Sequence, residues 1–165
     1  MRTKLNFLVA DIGGTNARFA LIDPNQSAPT LSALKVLQCS DFASLQHATE
    51  HYLSLVSASP TKAAVAVASP VTGDEIRLTN RAWSFSQKEF KEHLNFDQLH
   101  VLNDFGAVAH SIPALTQDDT VTLHGMYSEL TSGPISILGP GTGLGVALLV
   151  GDQHHGWNAV ATEGG

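Results

Sequence analysis

Three short segments carry residue types that could handle phosphate or meet a ligand at a strand end. The first is Asp11-Ile12-Gly13-Gly14-Thr15-Asn16-Ala17-Arg18, directly after an apolar run. Two glycines in a tight turn let backbone N–H groups approach a phosphate closely, and Thr15 adds a hydroxyl donor. Asp11, at the strand end, is placed to hold Mg²⁺ through water. The segment matches neither the Walker pattern nor the dinucleotide-fold glycine spacing, because no helical pattern follows. A hairpin turn that happens to contain Gly-Gly would read the same way, and taken alone the two readings stand level.

The second segment, Gly139-Pro140-Gly141-Thr142-Gly143-Leu144-Gly145, also lies between two strand-like runs. An ordinary β-turn could look like this, yet two such loops could grip one polyphosphate from opposite sides. The third is Asn103-Asp104-Phe105, after a buried run. Asp104 could act in chemistry, or it could simply cap the next helix, which is the usual job of an aspartate there.

The elements that must position these residues are legible in the hydrophobic pattern. Residues 5–10, 17–23 and 33–39 read as strands, and the first connection is too short for a helical crossover, which predicts antiparallel neighbours. Asp41 is expected to cap a helix over about 42–56, with Phe42, Leu45, Ala48, Tyr52 and Leu55 as its apolar stripe. The continuous apolar run 63–68 reads as a strand parallel to the first. Ser86-Gln-Lys-Glu89 is a capping box opening a helix to about residue 94. A strand over 99–103 and a helix to about Ser111 follow, and 120–123, 134–139, 144–150 and 157–161 are strand-like again. The expected architecture is a mixed α/β sheet with helices on its faces, plus the start of a second sheet. If strands 5–10, 63–68 and 99–103 are parallel, the crevice beyond their carboxyl ends collects Asp11, Ser69–Gly73 and Asn103-Asp104.

Composition narrows the class of protein. The 165 residues are 43% hydrophobic and 15% charged, ordinary globular material. Net charge is −6 with nine Lys and Arg, none of them clustered, which argues against nucleic acid and anionic membrane as partners. The single cysteine, Cys39, excludes an internal disulfide and a cysteine-based zinc site, and is expected to be inert. The apolar run after Met1-Arg-Thr-Lys4 is broken by Asn6 and Asp11, too short for an export signal or a membrane span. A cytoplasmic enzyme is the expectation. His47, His51, His154 and His155 are read as exposed rather than as metal ligands, and Trp83 and Trp157 as core or interface residues.

Six ordered blocks then carry a resemblance: Asp11-Ile-Gly-Gly-Thr-Asn-Ala-Arg18, Ser69-Pro-Val-Thr-Gly73, Leu78-Thr-Asn-Arg-Ala-Trp83, Asn103-Asp-Phe105, Gly139-Pro-Gly-Thr-Gly-Leu-Gly145 and Glu163-Gly-Gly165. In this order they resemble the bacterial glucokinases, within the sugar kinase/actin/Hsp70 superfamily, and the match spans essentially the whole chain.

The resemblance implies an RNase H-like, actin-like ATPase lobe with a mixed five-stranded sheet over 1–112, and the beginning of a second α/β lobe over 113–165. It also implies Mg-ATP-dependent phosphorylation of the glucose 6-hydroxyl. Asp104 would be the general base, Asn103 and Glu163 sugar ligands, and Asn80 part of the sugar pocket. Gly13, Gly14 and Thr15 would form one phosphate loop with Asp11, and Gly141, Thr142 and Gly143 the other. The implied ligands are glucose, ATP and Mg²⁺, and the implied full-length assembly a homodimer. Family members continue after the Glu-Gly-Gly block with a histidine, a second sugar-binding glutamate, an adenosine motif and a closing C-terminal helix. The expectation is therefore the N-terminal half of such an enzyme, inactive in isolation. The alternatives are a non-catalytic sugar- or phosphate-binding fragment, or a kinase for another hexose.

Overall fold

The computed structural model describes residues 7–23, 25, 30–78, 83–125, 133–140 and 144–163, with side chains as far as residue 160. It forms two compact units, Met1–Asn103 and Asp104–Gly165. The first is built on strands β1 (Phe7–Ile12), β2 (Asn16–Ile22), β3 (Leu31–Gln38), β4 (Lys62–Val67) and β7 (Gln98–Asn103), in the order β3-β2-β1-β4-β7. β1 pairs antiparallel with β2 and parallel with β4, and β4 pairs parallel with β7. The three-residue connection from β1 to β2 permits only a hairpin, whereas β4 and β7 are each reached through a helix.

Alternation along the strands decides which face is covered. Leu8, Ala10, Ile12, Ala17, Phe19, Leu21, Ala63, Val65, Val67 and Val101 form one buried cluster with Leu45, Ala48 and Tyr52 of helix α1 (Leu45–Leu55) and Phe90 of helix α2 (Gln87–His93). Phe19 stacks on Tyr52 with centroids 5.1 Å apart and planes 17° from parallel, an arrangement that adds about 1 kcal/mol to area burial. The opposite set, Val9, Asp11, Arg18, Ala64 and Ala66, is half-buried or exposed. Helices were expected on the faces of the sheet. Within this unit the described helices cover one face only, because α1 and α2 both bury their apolar residues in that single cluster.

Local differences from the sequence reading have local causes. α1 begins after Ser44, whose hydroxyl accepts the His47 N–H at 3.2 Å, and not after Asp41. Asp41 closes a short 3-10 turn, Cys39–Asp41, and the extended backbone of Phe42 separates that turn from the helix. Leu55, at the helix end, is exposed, and the buried stripe runs through Thr49 instead. A short hairpin, β5 (Glu75–Arg77) with β6 (Ser84–Ser86), was not foreseen; its strands of three residues are too brief to show alternation. Ser86 caps α2 as expected, accepting the Glu89 N–H at 3.1 Å while its own hydroxyl donates to Asp74 at 2.6 Å.

The second unit contains helix α3 (Asp104–Ser111) and an antiparallel sheet of β8 (Ile135–Pro140), β9 (Leu144–Asp152) and β10 (Gly156–Glu163), in the order β10-β9-β8. Ala109, Ile137, Ala147 and Leu149 are its buried centre, with Phe105, Ile112, Ile135 and Trp157 packed around them. The division expected after residue 112 therefore differs by one helix, since α3 packs on this sheet. Residues 120–123, expected as a strand, are not one; Val121 and Leu123 are almost fully exposed, and a 3-10 turn at Gln117–Asp119 precedes them.

Candidate functional site

Each unit gathers candidate site residues of its own at one end of its sheet. In the first, the carboxyl ends of the parallel strands β1, β4 and β7 lie side by side, with Ile12 opposite Val67 and Val67 opposite Asn103. The Ala68 N–H continues the ladder onto the Ile12 carbonyl at 3.2 Å, and the Asn103 amide donates to the Ser69 carbonyl at 3.3 Å. Asp11, the turn at 13–15, Ser69 and Asn103 thus occupy one edge, where ligands of parallel sheets bind.

The turn itself is held from behind. The Gly13 N–H donates to the Asn16 carbonyl at 3.0 Å, the Cys39 N–H to the Thr15 carbonyl at 2.9 Å and the Cys39 thiol to the Gly13 carbonyl at 3.6 Å. The Gln38 amide donates to the Asn16 side chain at 2.9 Å. Among the described residues no acceptor meets the Gly14 and Thr15 N–H groups. A turn whose carbonyls are engaged at the back while two amides stay open suits a phosphate. Cys39 is fully buried and Gln38 sits at the end of β3. Neither was singled out from the sequence as part of this site, and an isolated Gln-Cys pair carries no pattern that could have revealed it.

Asp11 is half-exposed, and its Oδ2 accepts from the Arg18 guanidinium at 2.9 Å across the β1–β2 pair. A single hard carboxylate with its other oxygen open fits a magnesium ion bound mainly through water and phosphates. Among the described residues no group of three or more metal-binding side chains occurs.

In the second unit α3 starts at Asp104, the residue after Asn103, and its carboxylate accepts the Phe105 N–H at 2.9 Å. Capping and a chemical role are therefore compatible. β8 ends at Pro140 and β9 begins at Leu144, so residues 141–143 join the two strands one rung beyond the Gly139–Gly145 pair. Glu163, at the end of β10, is in register with Gly145. Asp104, the root of the glycine loop and Glu163 thus belong to one unit, with Gly139, Gly145 and Glu163 on a single rung. Asn80, Gly141, Thr142 and Gly143 lie outside the described residues, as does the side chain of Glu163. The set-aside residues sit as follows: His47, His51, His154 and His155 are exposed, Trp83 is buried with its indole N–H on the Phe42 carbonyl at 3.2 Å, and Trp157 is half-buried.

A mixed five-stranded sheet of this order, with a phosphate-type turn between β1 and β2, defines the actin-like ATPase fold of the sugar kinases. Comparison with known proteins agrees. The crystal structure of a glucokinase from an Antarctic psychrotroph matches with a TM-score of 0.85 and 41% identity, over 99% of this chain and 51% of that one. A ROK family glucokinase from Streptomyces griseus, solved with glucose and AMPPNP, shares the fold at a TM-score of 0.58 and 12% identity, over 94% of this chain and 48% of its own. The glucokinase family model matches residues 8–165. The glucokinase of Ralstonia nicotianae is 44% identical over 96% of this chain and 46% of its own length, and that of Helicobacter pylori strain J99 41% identical over 96% and 47%. The chain belongs to the glucokinase family, and it spans about half the length of the curated relatives it matches. Among the described residues no helix is long and apolar enough to cross a membrane.

Proposed function

We propose that the protein carrying these residues is a glucokinase that transfers the γ-phosphoryl group of Mg-ATP to the 6-hydroxyl of glucose. The observation that supports this best is the convergence on the strand ends. The open amides of the turn after β1 and the Asn103 side chain share one sheet edge, and Asp104 follows Asn103 directly. Phosphoryl transfer asks for positioning and charge neutralisation more than for covalent chemistry, and these parts supply both.

In this reading Gly13, Gly14 and Thr15 receive phosphate oxygens, and the loop 141–143 holds the polyphosphate from the second unit. Asp11 would hold magnesium through water, and the charge of that ion would offset the charge on the phosphates. Asn103 and Glu163 bind sugar hydroxyls, and Asn80 shapes the pocket. The Asp104 carboxylate accepts the proton of the glucose 6-hydroxyl as the O–P bond forms and the bond from the γ-phosphorus to the bridging oxygen of ADP breaks. A carboxylate positioned on the attacking hydroxyl can take that proton late in the transfer, once the O–P bond is largely made. The localisation is cytoplasmic, and the assembly of the complete protein a homodimer.

Asp104→Asn keeps the size and the cap but removes the base. Turnover in a coupled assay of the complete protein should fall by about 10²–10⁴-fold, with glucose affinity by calorimetry little changed. Near-normal turnover would remove Asp104 from this role. Running glucose, mannose and fructose side by side decides the hexose.

A further inference from the structure

Of the residues around Asp104, one is explained by neither phosphate nor sugar chemistry. Phe105 projects from the first turn of α3 onto the sheet of its own unit, over the Gly139–Gly145 pair. A Cβ added at either glycine would fall inside the Phe105 ring. These two glycines therefore have a packing reason to be glycine, separate from the loop they flank.

The neighbouring rungs show how the fit is graded. Ile135 pairs with Leu149, Ile137 with Ala147 and Gly139 with Gly145, so side-chain bulk falls stepwise toward the loop 141–143. Along α3 the bulk rises in the same direction: Ala109 is buried against the middle of the sheet and Phe105 lies over the glycine rung. Phe105, Ala109 and Ile112 are spaced at four and three residues, one face of a helix continued into the next turn. Large over absent and small over large is the complementarity that fixes a helix in register on a sheet.

We propose that Phe105 is a positioning residue for phosphoryl transfer, its ring keyed into the notch left by Gly139 and Gly145. The key sets the first turn of α3 against the root of the glycine loop and against the rung that ends at Glu163. Asp104, one residue earlier, is thereby held relative to both. This rests on the role proposed above for Asp104.

The test is a double-mutant cycle of Phe105→Ala and Gly145→Ala in the complete protein, read by hexose phosphorylation and by chemical unfolding. Misplacing the base should lower kcat of F105A by about tenfold or more with KM for hexose little changed, because small errors at the reacting group are costly. F105L should recover part of kcat and covers the case in which F105A does not fold. I112A removes apolar contact from the same cluster but not from the notch, and should lose stability while kcat stays within about twofold. G145A should be harmful beside the native Phe105 ring and nearly neutral in the F105A background, where its methyl has room.

Equal harm from G145A in both backgrounds would overturn the notch. Equal kcat for F105A and I112A would overturn the positioning role. If the wild-type protein phosphorylates no hexose, the proposed function fails, and the unfolding arm still decides whether ring and methyl compete.

Discussion

The two glycine segments look alike in sequence and are built for different ends. At residues 13–15 the chain turns between β1 and β2 with the Gly13 and Thr15 carbonyls tied to Cys39 and the Gly13 N–H to the Asn16 carbonyl, while the amides of Gly14 and Thr15 stay open among the described residues. A Cβ at Gly13 would meet only the Asn16 carbonyl, at an ordinary 3.5 Å. At Gly139 and Gly145 the missing side chains are already replaced by the Phe105 ring. Under the proposed function glycine would leave room for a ligand in one place, whereas in the other it makes room for a side chain. Counting glycines in a loop cannot separate the two; what lies against the absent Cβ can.

The sharpest way to break this contrast is to remove one group at each segment and compare binding with stability. Thr15→Ala deletes an exposed hydroxyl and should leave unfolding nearly unchanged. If Thr15 receives a phosphate oxygen as proposed, the lost hydrogen bond, about 1.5–3 kcal/mol, should raise KM for ATP roughly tenfold or more. Gly145→Ala should instead lower stability by about 1–3 kcal/mol through overpacking against Phe105. Gly13→Ala, with room for its methyl and a φ outside the left-handed region, should cost under about 1 kcal/mol. If Gly13→Ala destabilises as much as Gly145→Ala, the two segments are not different in kind.

Much of this was legible in the sequence, for reasons that also set the limit. The strands β1, β2, β4 and β7 announce themselves by apolar runs and short connections, and their parallel pairing brings the Asp11 and Asn103 blocks to one edge. The start of α1 was misplaced because Asp41 and Ser44 are both good caps. The choice between them is made by the 3-10 turn that ties Cys39 to Thr15. Which face α1 and α2 would cover was not legible, since a continuously apolar run such as 63–68 suits either one. Phe105 stood in view as part of the Asn103-Asp104-Phe105 block, but its partner was not. The pairing of one aromatic with two distant glycines exists only once β8 and β9 are in register.

A smaller effect belongs to the joint between the β5–β6 hairpin and α2. Hydrogen bonds from the Ser86 hydroxyl and the Lys88 N–H hold the Asp74 carboxyl below its usual pKa. A carboxylate with a depressed folded pKa contributes stability that is present above its unfolded pKa. That contribution is lost as pH falls through the folded value. Ser86→Ala removes an Asp74 partner and also the α2 cap, and loss of the cap alone should cost about 1 kcal/mol of stability near neutral pH. Its stability should also fall less steeply than wild type on acidification. An acid limb as steep as that of wild type would mean that Ser86 has no part in the Asp74 shift.

The smallest expected effect lies at the opposite end of the pH scale and probes the covered face of the same sheet. Tyr52 is fully buried against Phe19, its hydroxyl donating to the Ala33 carbonyl at 3.1 Å. Burial disfavours the phenolate and pushes its pKa from 10.0 up to about 12. A group with a raised folded pKa contributes stability that is complete below the unfolded pKa and drains away as pH climbs through the folded one. Stability carried by Tyr52 should therefore hold to about pH 10 and decline between there and about 12. The chain has one other tyrosine, Tyr127, so Tyr52→Phe is the control that assigns phenolate absorbance during an alkaline titration. The variant should lose the absorbance that the wild type gains near pH 12. Loss of absorbance gained near pH 10 instead would mean that Tyr52 is open to water and that the covered face of the sheet is less tightly closed than its packing on α1 requires.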